Sequence, residues 1–305
     1  MKAELAFSPS PQQIAAYKRD GFVIVPEYLP EGEVERVLAR WASVFGHEWE
    51  TGIAPDEVNF VPGTTDPEMT RQLCNVWKAD RVVAATTLSV RNAAFAAKLA
   101  GHRGVRIVQD NLIWKPPCGK PLLVHQDGSY LDYLDPPNMI TCWMALDDTD
   151  RSTGTIYYVP GSHLWPHAPV GGQFHAPDDW LSWLEERRPP GAEVELVPVE
   201  VPCGGAAFHD TWVFHGSPAN VRPDAQRRSI ISHLMSAETR WNPDRPHPTY
   251  SRYRRPGETE FDEAFFPVLW REDGYRSPWL TDFLTARGQP QREVESSISQ
   301  ARSPS

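Results

Sequence analysis

The stretch Met139-Ile140-Thr141-Cys142-Trp143-Met144-Ala145-Leu146-Asp147 alternates with a period of two. Ile140, Cys142, Met144 and Leu146 fall on one side; Thr141, Trp143, Ala145 and Asp147 fall on the other. Successive side chains of a strand point to opposite faces, so this pattern predicts a strand over Met139 to Leu146 with two different sheet faces. Similar short apolar runs surround it. Val105 to Trp114, Leu122 to Asp127, Thr155 to Val159, Glu193 to Val201, Ala206 to Phe214 and Arg228 to Met235 all read as strands. Several strands of this length without helices between them indicate an antiparallel sandwich or barrel. Pro116-Pro117 and Pro136-Pro137 stand where strands should end, because proline cannot donate to a ladder. The expected architecture is mainly β, an antiparallel barrel with helices on one side and a ligand site at its mouth.

Working back toward the N-terminus, Gln12 to Asp20 reads as a short amphipathic helix stopped by Gly21, followed by a buried strand, Phe22 to Val25, closed by Pro26. Pro30 opens a second helix whose residues Val34, Val37, Leu38, Trp41, Val44 and Phe45 share one face. Its acidic start, Glu31 and Glu33, suits the helix dipole. Residues 51–66 read as a loop, and helices are expected at about 67–77 and 90–100. Toward the C-terminus, 164–192 is rich in Pro, Gly, Trp and His and is expected to form a loop over the barrel mouth. The segment 240–270 is similar and aromatic. The expected organisation is one domain over 1–288, with 289–305 a polar, disordered tail.

The composition is globular: 305 residues, 40% hydrophobic and 23% charged. Twelve Trp and thirty Pro point to an irregular fold with aromatic-lined surfaces. A formal charge of −10 excludes nucleic acid as the main partner and permits a cationic small molecule. No apolar run approaches the ~20 residues of a membrane span. The four cysteines show no Cys-x-x-Cys pairing, and no apolar leader precedes them. Free thiols in a reducing cytoplasm are the expected state. The oligomeric state is left open.

Val124-His125-Gln126-Asp127 offers a histidine and a carboxylate two residues apart at a strand end. Side chains at i and i+2 of a strand share a face, so both can grip one metal ion. His215, in Phe214-His215-Gly216-Ser217, is the best residue to complete the set. Two histidines and one carboxylate with the opposite positions open form the arrangement of non-haem Fe(II) oxygenases. His209, six residues earlier, keeps strand parity and is an alternative ligand lacking the following Gly-Ser. Arg227 and Arg228 follow a turn and open the next strand, where a guanidinium suits bidentate capture of a carboxylate. Ser229 shares a strand face with Arg227 and could add a hydroxyl. Metal ligands plus an anion clamp are what a 2-oxoglutarate cosubstrate needs. Two other readings stand beside this one: a jelly-roll protein that binds metal or ligand without turnover, and a cupin-type metalloenzyme not using 2-oxoglutarate.

The residues also resemble a known family. Asp20-Gly21-Phe22-Val23, Lys115-Pro116-Pro117, His125-Gln126-Asp127, Trp143 to Asp148, Gly154 through Val159-Pro160-Gly161-Ser162-His163, and His215-Gly216-Ser217 with Asn220 and Arg227 occur in the order seen in the phytanoyl-CoA dioxygenase family. The resemblance covers roughly residues 12–236. It implies a double-stranded β-helix (jelly-roll, cupin-like) core and the cofactors Fe(II), 2-oxoglutarate and O2. It makes His125, Asp127 and His215 the iron ligands and assigns the far carboxylate of 2-oxoglutarate to Arg227, with Arg228 as the alternative. It places Asn111, Trp143 and Ser217 along the cosubstrate. His163 is a family landmark with a structural part. Asp127 departs from the Gly or Ala of the superfamily's halogenases and so implies hydroxylation or a related oxidation. Tyr130, Tyr133, Trp165 and Trp212 are the candidates for the substrate pocket. The expected substrate is a small metabolite, with natural-product tailoring as the favoured setting.

Overall fold

The computed structural model describes residues 8–286. The tail expected after Gly288, and with it the C-terminal domain boundary, lies outside the described residues. In chain order the elements are α1 (Pro11–Asp20), β1 (Phe22–Val25), α2 (Glu33–Phe45), β2 (Glu57–Val58), β3 (Arg71–Cys74), α3 (Arg81–Thr87), α4 (Val90–Ala100), β4 (Gly104–Lys115) and β5 (Leu122–His125). They continue with β6 (Leu134–Asp135), β7 (Met139–Ala145), β8 (Tyr157–Tyr158), α5 (Ser182–Arg187), β9 (Val197–Pro198), β10 (Ala206–Asp210) and β11 (His215–Ser217). β12 (Arg227–Ser236), β13 (Arg240–Trp241), β14 (Val268–Arg271) and α6 (Trp279–Thr285) complete the set.

Local chemistry explains the well-read elements. Ser10 and Gln13 form a capping box on α1, with the Ser10 hydroxyl accepting from the Gln13 N–H and the Gln13 side chain accepting from the Ser10 N–H. Gly21 closes that helix in the left-handed region at φ 84°. Ser89 and Gly101 bound α4 in the same way.

The helix expected over 67–77 is absent. Arg71–Cys74 is β3, paired to β4 with Leu73 opposite Leu112 and Cys74 opposite Asn111. The unpaired edge of β4 draws this segment into the ladder, since buried backbone groups must be paired. A helix starts only at α3, where the Asp80 carboxylate accepts from the Val82 and Val83 N–H groups.

Two antiparallel sheets form the core rather than one continuously hydrogen-bonded ring. The larger runs β1-β10-β7-β12-β4-β3-β2, with β14 also on β4; the smaller runs β5-β11-β8-β9. The alternation in β7 is decisive. Ile140, Cys142 and Met144 pack with α2, α3 and α4 in one cluster, while Trp143 and Ala145 pack with Leu122, Tyr158 and Val199 of the smaller sheet and its surroundings. Helices therefore cover one face of the larger sheet, and the smaller sheet faces the other. This is the mainly β, cupin-like jelly roll with flanking helices that the sequence leads one to expect.

Several strands are shorter than their apolar runs, β8 among them at Tyr157–Tyr158. β5 stops at His125, and Asp127 opens a 3-10 turn to Tyr130. The run Ala206 to Phe214 breaks at Asp210, whose carboxylate accepts from the Trp212 N–H, and His215 resumes on the other sheet. Of Glu193 to Val201, only Val197–Pro198 is strand. The 164–192 segment runs along β5, with the Leu123 and Val124 N–H groups donating to the Phe174 and Trp180 carbonyls. Among the described residues no helix is long and apolar enough to cross a membrane.

Candidate metal and cosubstrate site

Cross-strand register turns the inner face of the larger sheet into rows. Gln109, His233, Thr141 and His209 lie side by side on β4, β12, β7 and β10. Asn111, Ile231, Trp143 and Ala207 form the next row, and Arg227 stands opposite Lys115 at the end. The smaller sheet hangs His125 and His215 over these rows, opposite one another in register. Asp127 is delivered by the turn after β5.

The ligand atoms of His125, Asp127 and His215 all lie within 4.8 Å of one another. His125 Nε2 is 3.3 Å and His215 Nε2 3.4 Å from the same oxygen, Asp127 Oδ1. Each imidazole turns its Nδ1 to a backbone carbonyl two residues back, Leu123 at 2.9 Å and Val213 at 3.0 Å. That bond holds the proton on Nδ1 and leaves the Nε2 lone pair facing the cavity, as a metal-ligating histidine requires. The other carboxylate oxygen, Asp127 Oδ2, accepts from Thr141 Oγ1 at 2.8 Å and His209 Nε2 at 3.1 Å. Burial pushes the Asp127 acid up, but His215, His125 and His209 outweigh it and hold the carboxyl well below its usual range. It is a carboxylate with one oxygen anchored and one presented.

His209 is thus not a third ring around the metal but a clamp on Asp127. The Tyr158 hydroxyl bonds its Nδ1 at 2.8 Å, so the Nε2 proton goes to Asp127. Burial first, then His215, depresses it to about 3, so it is neutral. His233 plays the matching part across the row, 2.8 Å from Thr141 Oγ1 and 3.0 Å from Asn111 Nδ2. Because Asp127 can only accept, Thr141 donates to it, His233 Nδ1 donates to Thr141, and Asn111 donates to His233 Nε2. Asn111, read from sequence as a cosubstrate residue, lines the cavity as part of this chain.

At the far end of the same cavity, of about 370 Å³, stand Trp143, Ser217 and Arg227. Arg227 is fully buried, donates to Ser229 Oγ and the Gly154 carbonyl at 3.0 Å each, and leaves its Nε without a partner. Lys115, also fully buried, donates to Ser217 Oγ at 2.7 Å and to the Pro218 carbonyl. Neither cation has an ion-pair partner among the described residues. Burial lowers Arg227 to about 10, and burial followed by Arg227 depresses Lys115 well below the usual lysine value. Arg227 is a buried guanidinium without a counter-ion, which calls for a bound anion. Arg228 is settled otherwise: it pairs with Asp147 on the outer side.

The substrate candidates divide. Tyr130 and Tyr133 line the cavity. Trp165 and Trp212 do not. Trp165 packs on Phe214, 6.0 Å between ring centroids. Trp212 stacks on His167 at 3.5 Å and covers Gly128, where a Cβ would meet the indole at 2.6 Å. Trp212 is carried off the site by the turn after Asp210, where strand parity ends. In their place 164–192 contributes Phe174 and His175, and 240–270 contributes His247 and Tyr250.

Compared with known proteins, the chain matches the phytanoyl-CoA dioxygenase (PhyH) family over residues 17–229. It is 30% identical over 280 residues to the Bos taurus phytanoyl-CoA dioxygenase domain-containing protein 1, covering 77% of this chain and 93% of that protein. The chain belongs to the phytanoyl-CoA dioxygenase family. Members of this family are Fe(II)- and 2-oxoglutarate-dependent dioxygenases, with O2 as the usual co-substrate. Other relatives match less evenly. The Oryza sativa phytanoyl-CoA dioxygenase 1 is 28% identical across 43% of this chain, and the match spans 45% of that protein's own length. A probable alpha-ketoglutarate-dependent hypophosphite dioxygenase of Stutzerimonas stutzeri is 24% identical over 74% of this chain and 78% of its own. Among solved structures, the epimerase SnoN in complex with ferric iron, alpha-ketoglutarate and nogalamycin RO is 25% identical with TM-score 0.67, covering 85% of this chain and 98% of that one. EctD from S. alaskensis with 2-oxoglutarate and 5-hydroxyectoine shares the fold at 19% identity and TM-score 0.62, over 83% of this chain and 87% of that one.

The donor set fits the family's metal: two imidazole nitrogens and one carboxylate oxygen converge within 4.8 Å of one another. Arg227, which lines the same cavity and whose Nε has no partner among the described residues, fits the family's dicarboxylate cosubstrate.

Proposed function

We propose that this protein oxidises an unactivated C–H bond of a small metabolite, using Fe(II), 2-oxoglutarate and O2 and releasing succinate and CO2. His125, Asp127 and His215 hold the iron. Arg227, carried by Ser229, takes the far carboxylate of 2-oxoglutarate. Ser217, Trp143 and Asn111 line the cosubstrate, with Ser217 oriented by Lys115. When bound, the iron and cosubstrate supply the oxidising chemistry. The chain's own work is to fix Asp127 through Thr141 and His209, keep both Nε2 lone pairs available, and shield the reacting C–H from water.

The observation that carries this reading is one cavity lined both by a three-donor face and by the buried guanidinium of Arg227, which has no ion-pair partner among the described residues. A metal binder without turnover needs no buried anion clamp, and a cupin-type enzyme without 2-oxoglutarate needs none either. Substrate shares a cavity of about 370 Å³ with the cosubstrate, at the small end of the usual ~300–1,000 Å³ range. That favours a compact metabolite, and natural-product tailoring is the setting suggested by the biosynthetic neighbours. Four free thiols suit a cytoplasmic site.

The test is succinate release by anaerobically prepared protein given Fe(II) and 2-oxoglutarate and then air, beside His125→Ala. Turnover lost in the variant supports the proposal. Absence of turnover together with no calorimetric binding of 2-oxoglutarate sinks it. Product mass then separates outcomes: one added oxygen for hydroxylation, no change for epimerisation, loss of two hydrogens for ring closure or desaturation.

A further inference from the structure

Beyond the metal-binding face, the outer half of the cavity has a charge pattern of its own. Among the described residues no Lys or Arg lines it, and apart from the histidines its one formally charged lining residue is Glu57 on β2. Glu57 is exposed at the mouth and its Oε1 accepts from Thr249 Oγ1 at 2.6 Å. No cation pairs with it among the described residues. Beside it stands an aromatic wall: Tyr133 to His247 and His247 to Tyr250 are each 4.7 Å between centroids, and Tyr133 to Tyr250 is 5.6 Å. Burial governs the ionisation of Tyr133 and His247 first, and the Glu57 charge comes second for both, which places that carboxylate close to the wall. Tyr133 is fully buried, lines the cavity, and its hydroxyl has no partner; the Tyr130 hydroxyl is also unpartnered.

These features ask for one kind of ligand. Anionic groups, the phosphates of a coenzyme A thioester included, need Lys or Arg donors, and the outer half supplies none. A cation over aromatic faces beside an unpaired carboxylate is stabilised by both the ring quadrupoles and the charge. Unpartnered buried hydroxyls are completed by oxygen or nitrogen functions of the ligand.

We propose that the outer half takes a small, ring-bearing metabolite with a protonated amine. The ammonium lies at Glu57, the ring lies along Tyr133, His247 and Tyr250, and the Tyr130 and Tyr133 hydroxyls bond its polar substituents. This assignment deepens the oxygenase reading and rests on it for which C–H is presented to the metal face.

The experiment uses the full chain under anaerobic conditions, with Fe(II) and 2-oxoglutarate titrated first by calorimetry. Three probes of one skeleton follow: tyramine, tyrosol and para-hydroxyphenylacetate, which differ only in a terminal ammonium, alcohol or carboxylate. Tyramine should bind about threefold to fivefold more tightly than tyrosol, and the carboxylate most weakly. Glu57→Gln should abolish the preference and Glu57→Lys should reverse it, with circular dichroism and melting temperature confirming the fold. Equal binding of the three probes, preference for the carboxylate, no binding of tyramine, or a preference untouched by Glu57→Gln overturns the assignment. The probes are also titrated into the metal-free protein. Failure to bind 2-oxoglutarate would therefore strike the oxygenase reading, while the amine preference is judged separately on Glu57.

Discussion

His209 Nε2 lies 3.1 Å from Asp127 Oδ2, on the carboxylate oxygen turned away from His125 and His215. The bond fixes the carboxylate plane so that Oδ1 faces both imidazoles. Partners of this sort contribute ~10–100-fold in metal affinity when removed. His209→Ala should weaken Fe(II) or Mn(II) binding by about that factor and leave a measurable site, whereas His215→Ala should abolish it. Calorimetric or fluorescence-detected metal titration distinguishes the two, and equal loss in both would make His209 a ligand after all.

Thr141→Val keeps the side-chain shape but leaves His233 Nδ1 without its acceptor and Asp127 Oδ2 with His209 alone. An unsatisfied buried group costs ~1–3 kcal/mol. The expected result is a lower melting temperature of the metal-free protein, with metal affinity falling as well. An unchanged melting curve would show that the chain from Asn111 to Asp127 adds nothing.

Cosubstrate affinity should rank the basic residues by position. Arg227→Met should eliminate measurable 2-oxoglutarate binding. Lys115→Met should weaken it by ~1–3 kcal/mol, because Ser217 loses the Nζ donor that orients it. Arg228→Gln should change it little, since that guanidinium is engaged with Asp147. Calorimetry on the Fe(II)-loaded protein reads all three.

Gly216→Ala tests how tightly the two ligand strands are packed. A Cβ there would stand 2.7 Å from Val124 Cα and 2.9 Å from its N, both backbone atoms of β5. The strands must part, moving His215 relative to His125. Overpacking of this kind costs ~1–3 kcal/mol, so melting temperature and metal affinity should fall together.

Stability of the metal-free protein should fall with acid. Burial depresses His209 from its ordinary 6.5 to about 3 and lowers His125 and His233 as well. Between those values the unfolded chain binds a proton that the folded chain does not, so stability is full above about pH 6.5 and drains toward pH 3. Each such histidine contributes ~1.4 kcal/mol per pH unit inside its window. Denaturant melts at neutral and mildly acid pH, with His209→Asn expected to flatten the slope, check the sign.

Much of the fold was open to reading because it rests on short-range rules. The two-residue alternation from Ile140 to Leu146 fixed a strand with unlike faces, and the caps Ser10, Gly21 and Gly101 bounded helices where they occur. The stretch 67–77 was misread because the need to cover the edge of β4 is a property of the sheet, not of those residues. Trp212 lies away from the cavity for a similar reason: a turn between Asp210 and Val213 breaks the parity that a strand would have carried.

By itself the sequence determined the residue types of the site: the His125–Asp127 spacing, the Gly-Ser after His215 and the arginine that opens β12, all local in the chain. Only the tertiary structure decided how they are held. Thr141, His209 and His233 come from three strands, and Lys115 meets Ser217 across 102 residues of chain. Their roles arise from cross-strand register and burial, which depend on which strands become neighbours. No local pattern carries that information, because hydrogen bonds to Asp127 are set by sheet order rather than by sequence spacing.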